Sequence, residues 1–163
     1  MRLLAIDPSL RNTGYAVVDA EGRQSTMLDF GVISNPKHLK PSACLVRIRD
    51  VLSELIREHR VQECAVEGVI FVQSYRTAIT LGAARGAAIL AAAEVGLPIY
   101  EYAPRKVKQA VSGSGSAQKA QVAFMVRALF GLKETPSADA ADAMAVALAH
   151  INAKQVGLLG DML

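Results

Sequence analysis

The chain opens on four apolar residues, Leu3 to Ile6, cut off by Asp7-Pro8, and a short apolar run ended by a turn signal reads as a buried strand. Two further runs, "GYAVVDAEG" and "STMLDFGVI", read as strands joined through the glycine-containing turn "AEGRQ". From Pro41 to Arg60 the period changes. Leu45, Ile48, Leu52, Leu55 and Ile56 recur at helical spacing with charges opposite, which predicts an amphipathic helix. "ECAVEGV" reads as a fourth strand, "YRTAITLGAARGAAILAAAEVG" as a long helix of small residues closed by Gly96 and Pro98, and "PIYEYAP" as a fifth strand. A short basic helix "RKVKQAV", the loop "SGSGS", a helix from about Ala117 to Phe130 and a last helix from Ala138 complete the pattern. One domain is expected over residues 1–152. Beyond Asn152 the pattern weakens, and residues 153–163 are expected to fray.

A hairpin meander followed by β-α-β units predicts an α/β fold: a mixed five-stranded sheet in the order 3-2-1-4-5, strand 2 antiparallel, with helices on both faces. Strands 1 and 4 then run parallel at the centre. Asp7 ends the first and Glu67 lies near the end of the fourth, so the two carboxylates are expected to be neighbours at the carboxyl edge, where open α/β sheets place their ligands.

The segment "ADAADAMAVALAH" adds two more acids, Asp139 and Asp142, to an otherwise apolar helix. With Ser137 at the N-cap, Asp139 falls in the first turn, where the helix dipole favours a carboxylate by about 0.3–1 kcal/mol. Asp142 lies a turn deeper and gains little. Residues three apart share a helical face, so the pair repels unless something positive stands beside it. Four acids gathered at one sheet edge would make a cup of charge −4, and two unit charges 4 Å apart repel by roughly 1 to 4 kcal/mol at surface-like dielectrics. Divalent cations would relieve this. Oxygen ligands without a Cys or His cluster select Mg²⁺, with Mn²⁺ as substitute, over zinc, and two such ions suit phosphodiester hydrolysis.

Composition narrows the partner. The 163 residues are 52% hydrophobic, with a mean hydropathy of +0.26, and the longest apolar stretch, "GAAILAAAEVG", is too short and small-sided to span a bilayer. No membrane association and no secretory signal are expected, and Cys44 and Cys64 read as reduced buried thiols, so the expected location is cytoplasmic. There are 18 Lys and Arg against 15 Asp and Glu. Withdrawing four acids into one site leaves a clearly basic remainder, suited to a polyanion. His38, His59 and His150 are scattered without ligand spacing, and His150 is read as structural, a cation at the end of the last helix.

Together, "AIDPSLRNTGYAVVD", "AVEGVIF", "TLGAARGAAILAA", "EYAPRKVKQAVSGSGSAQKAQVAFMV" and "ADAADAMAVALAH" resemble, in order and spacing, the RuvC family of Holliday junction resolvases, nucleases of the ribonuclease H-like fold. The resemblance covers roughly residues 1 to 152. It implies that Asp7, Glu67, Asp139 and Asp142 hold two Mg²⁺ ions, and that Lys119 and Lys108 approach the scissile phosphate of a four-way DNA junction. Further DNA contacts are expected at Phe71, Arg76 and Ser114. It also implies a homodimer formed through the helix carrying Gly82 and Gly86, and contact with the RuvAB branch-migration complex. Three positions depart from the family pattern: Ser9 stands where Gly is usual, Gly68 where Gln or Glu is usual, and Ile70, with Phe71 next, where relatives carry an aromatic that wedges the junction open. Whether Phe71 is wedge or core stays open. The product expected is a pair of symmetric nicks with 5′-phosphate and 3′-hydroxyl ends. An actin-like ATPase would share the sheet order but needs a second domain. A nuclease for structured RNA and a non-catalytic junction binder remain as alternatives, the latter disfavoured by the four acids.

Overall fold

The structure, a computed structural model, describes residues 1–22, 24–69 and 72–163. Strands β1 (Arg2–Asp7), β2 (Asn12–Glu21) and β3 (Gln24–Ser34) form the antiparallel meander; α1 (Pro41–His59) leads to β4 (Glu63–Glu67), and α2 (Tyr75–Ala93) to β5 (Ile99–Tyr102). The helices α3 (Pro104–Ser112), α4 (Lys119–Leu129) and α5 (Ala138–Val156) follow, and a short β6 (Asp161–Met162) ends the chain. The sheet order is β3-β2-β1-β4-β5-β6, with β4 parallel to both β1 and β5. The expected order of the first five strands is therefore observed, with a sixth strand added.

Strand β1 is apolar from Leu3 to Ile6 because that stretch is covered on both faces. Leu4 and Ile6 pack on one side with Ile48 and Leu52 of α1 and Ala84 and Ala88 of α2, whereas Leu3 and Ala5 pack on the other with Met144 and Val146 of α5. Fully burying each of the larger side chains stabilises the fold by about 1.5–3 kcal/mol. Helix α5 is buried almost all round from Ala140 to Ile151, which explains its alanine content: small side chains let it lie close across β1, β2 and β4. In α2 the small residues divide. Ala84, Ala88, Ala91 and Ala92 face the sheet, while Gly82 and Gly86 are exposed, and a Cβ added at either meets nothing within 4 Å.

Two expectations are corrected. Within residues 153–163, where no regular element was expected, α5 continues to Val156, Gly157 closes it with φ 71°, and Asp161 and Met162 pair with Glu101 and Tyr100. Every residue of β6 is exposed, so main-chain hydrogen bonds hold it, and such bonds leave no apolar pattern to read. His150 does not end a helix either. It lies a turn and a half inside α5, fully buried, with Nδ1 2.9 Å from the Tyr102 hydroxyl and Nε2 2.9 Å from Glu63 Oε2. Burial lowers its pKa, so it stays neutral where a helix-end cation was expected. Both cysteines are free and buried. Among the described residues no helix is long and apolar enough to cross a membrane.

Candidate active site

Parallel pairing of β1 and β4 sets Ile6 opposite Val66, so the next residues, Asp7 and Glu67, leave the sheet side by side at its carboxyl edge. Side chains alternate along a strand. Since Ile6 and Val66 belong to the α1/α2 layer, Asp7 and Glu67 turn to the α5 face. Helix α5 begins there, against β2 at Gly14, which pairs with Asp7 across the sheet. A Cβ on Gly14 would overlap the carbonyl oxygen of Asp139. The missing side chain lets the first turn of α5 reach the sheet, carrying Asp139 and Asp142 to the edge. Ser137 occupies the N-cap position, but its side chain makes no capping hydrogen bond, which leaves Asp139 as the anionic group of the first turn.

The four acids feel one another. Burial first, then the charges of Glu67 and Asp142, push the Asp7 carboxyl up to about 8. Glu67 is pushed up to about 7, again by burial and then by Asp142, against the opposing pull of Lys119 and a hydrogen bond with Asp7. The hydrogen bond with Asp7 favours the ionised form of Glu67 and only partly offsets the rise that burial and Asp142 impose on it. The positive group beside the aspartate pair is Lys119, the first residue of α4. Its Nζ donates to Asp142 Oδ2 at 2.8 Å, and that hydrogen bond holds the ammonium above the usual lysine range. Lys108, on α3, is close enough to favour ionised Glu67.

Among the described residues no three His, Cys, Asp or Glu side chains stand, as they lie, in an array that would hold a metal ion. The donor chemistry nevertheless fits a hard divalent cation. All four groups are carboxylates, and two are kept from ionising by burial and mutual repulsion, which bound positive charge would relieve. Ligation would require Asp7 to lose its proton and Lys119 to leave Asp142.

A cleft of about 410 Å³ is lined by Asp7 and Glu67 together with Leu81, Arg85 and Arg105. Ser114 is exposed on the loop before α4, its hydroxyl 3.0 Å from that of Ser116. Arg76, in the first turn of α2, is exposed and lines a separate cleft of about 420 Å³ with Ser9 and Arg11. Ile70 and Phe71, the two wedge positions, lie outside the described residues. Sequence reasoning missed Gly14 and the ion pair between Arg85 and Glu101. "NTG" could have flagged the first, as a glycine inside a strand marks a close approach; no local signal marks the second.

Known proteins resemble this chain over nearly its whole length. Residues 3–150 match the family model described as crossover junction endodeoxyribonuclease RuvC. A crossover junction endodeoxyribonuclease RuvC from Akkermansia muciniphila is 55% identical over 151 residues, covering 93% of this chain and 90% of that one; one from Halorhodospira halophila is 48% identical over 157 residues, covering 96% and 93%. The structure of RuvC from T. thermophilus in complex with a Holliday junction substrate superposes with a TM-score of 0.93 at 35% identity, covering 100% of this chain and 99% of that one. A chain matched over nearly its whole length by the family model, by curated relatives and by a solved structure belongs to the crossover junction endodeoxyribonuclease RuvC family.

Proposed function

We propose that the chain is a Mg²⁺-dependent endonuclease that resolves four-way DNA junctions as a homodimer, cutting phosphodiesters to leave 5′-phosphate and 3′-hydroxyl ends. The observation that carries this reading is the convergence of Asp7, Glu67, Asp139 and Asp142 on one sheet edge with Lys119 among them. Asp7, Glu67, Asp139 and Asp142 would hold two Mg²⁺ ions, with Mn²⁺ as substitute, and the ions supply activation of a water on one side of the phosphodiester and charge neutralisation on the other. Lys119 has a long exposed side chain on a helix start and can swing from Asp142 to a phosphate oxygen, stabilising charge that develops there. Lys108 adds positive charge beside Glu67. Ser114, on the loop before α4, and Arg76, in the first turn of α2, are both exposed and are assigned to the junction backbone; Phe71 or Ile70 remains assigned as wedge.

Dimerisation is assigned to the outer face of α2 and the neighbouring part of α1. Gly86, Ala87 and Leu90 form an apolar hollow of about 390 Å³ with Leu45 and Val46, and Val46, Ile79 and Leu90 are exposed. An isologous pair across this face would present two active sites to two symmetric strands, as a two-fold substrate requires. The decisive experiment incubates the protein with a four-way junction, a linear duplex and a hairpin RNA, in Mg²⁺ and in EDTA. Paired nicks in the junction alone, only with Mg²⁺, are expected; equal cutting of the RNA hairpin would overturn the DNA-junction reading, and cutting in EDTA the metal-dependent one.

A further inference from the structure

We infer that Arg85 and Glu101 form a brace behind the Glu67–Gly68 peptide and act as positioning residues for Glu67, an inference that rests on the metal-dependent reading above. The geometry follows from alternation. Val66 faces the α1/α2 layer, so Glu67 faces α5 and Gly68 turns back toward α2. In the parallel pair of β4 and β5, Val66 lies opposite Glu101 and Glu67 opposite Tyr102. Tyr102 packs into the α5-side core, so Glu101 also turns toward α2. There its carboxylate takes the space where a side chain on Gly68 would begin: a Cβ would lie 2.8 Å from Glu101 Oε1 and 3.0 Å from its Cδ. Arg85 reaches across from α2 and donates through Nη2 to Glu101 Oε2. The Gly68 N–H meanwhile donates to the Tyr102 carbonyl at 2.9 Å.

The last peptide of β4 is thus held sideways by β5 and from behind by an ion pair. As a stabilising device this pair is a poor choice. Its side chains are only 24% and 29% exposed, and Arg85 Nε is buried with no hydrogen-bond partner among the described residues. An unmade buried hydrogen bond is costly, and an apolar pair of the same size would commonly serve stability as well or better. What the pair supplies is position. The glycine admits the carboxylate, the carboxylate fixes the arginine, and the peptide carrying Glu67 is left one resting place. Residues that hold a ligand's orientation from behind commonly change metal affinity by 10–100-fold when altered.

The test uses the full chain and Mn²⁺ alone. Titration calorimetry without DNA is run on the parent, Glu101→Gln, Arg85→Lys and Gly68→Ala, beside junction affinity and melting temperature in EDTA. Each variant is expected to bind Mn²⁺ roughly tenfold or more weakly, with junction affinity in EDTA within about twofold of the parent. The double variant Gly68→Ala/Glu101→Gln should be no worse than the poorer single, because both disable one device. Should Arg85→Lys fail to fold, the other two variants decide. A parent that takes up no Mn²⁺ overturns the metal-dependent reading and the brace with it; equal uptake by the parent and the folded variants overturns the brace alone.

Discussion

The ammonium of Lys119 donates to Asp142 Oδ2 at 2.8 Å, joining the first residue of α4 to the second turn of α5. The lysine side chain is 75% exposed and the aspartate 22%, so the pair has one free and one anchored end. A contact of this kind contributes little to stability. If Lys119 instead serves the reacting phosphate, Lys119→Ala should slow junction nicking by about 10²-fold or more while weakening junction binding only slightly. Single-turnover cleavage and binding in EDTA, measured on one preparation, check this; small and equal losses in both would return Lys119 to a solvated surface role.

Glu67→Gln keeps size and deletes one charge from the site. Cleavage should fall by about 100-fold or more, a barrier increase of at least about 2.7 kcal/mol, while junction affinity in EDTA holds or tightens because a charge repelling phosphate is gone. Nicking within tenfold of the parent, with normal folding, would remove Glu67 from the metal ligands.

The raised carboxyls of Asp7 and Glu67 make a prediction about pH. In the unfolded chain both ionise near their ordinary values of about 4, whereas the folded protein holds its protons until about 8 and about 7. Between these limits the folded state binds more protons, so its stability falls as pH rises, then levels off. His150, buried and neutral, acts in the opposite sense below its ordinary range. The comparison with Asp7→Asn isolates the carboxyl effect. In EDTA the variant should melt with the parent near pH 4 and above it at pH 8, by the equivalent of about 1–3 kcal/mol; parallel melting curves across the range would remove the repulsion between the acids.

Gly86 faces open space, where an added Cβ meets nothing within 4 Å inside the protomer. Gly86→Leu should therefore leave the melting transition of the monomer intact and shift sedimentation from dimer to monomer. An unchanged dimer would move the interface elsewhere, whereas an unfolded variant would contradict the open surroundings of this residue.

Gly14 is the reverse case. Its added Cβ would overlap backbone, the Asp139 carbonyl, which cannot rotate away as a side-chain tip can. Gly14→Ala should destabilise by about 1–3 kcal/mol and reduce nicking of the folded fraction by displacing Asp139 and Asp142. Thermal melting with cleavage normalised to folded protein tests both; a parent-like variant on both counts would show that α5 can shift without consequence.

The neighbourhood of Asp7 and Glu67 was legible because two rules sufficed for it: consecutive elements pair without crossing, and parallel strands carry their carboxyl ends to one edge. Asp139 and Asp142 were legible from their oddity in an alanine-rich helix. What could not be read depends on register between elements distant in sequence. Glu101 looked like a strand residue and Arg85 like a helix residue, and only the pairing of Val66 with Glu101 sets them behind Gly68. His150 likewise finds Glu63 across 87 positions, too far for any local pattern to announce. β6 escaped because a two-residue strand held by its backbone carries no side-chain signature.

That short strand bears on how copies of the chain meet. A sheet margin is a row of unpaired backbone groups that can recruit another chain. At the β5 margin, Asp161 and Met162 occupy part of that row, and two residues offer too little length to template a neighbour. The opposite margin, β3, is eleven residues long, but the register shift against β2 at Val17 and Val18 inserts Leu28 as a bulge, and a bulge bends and twists the strand away from flat pairing. With both margins blunted, ribbon-like aggregation through the backbone is discouraged, and the proposed dimer would have to form through helices.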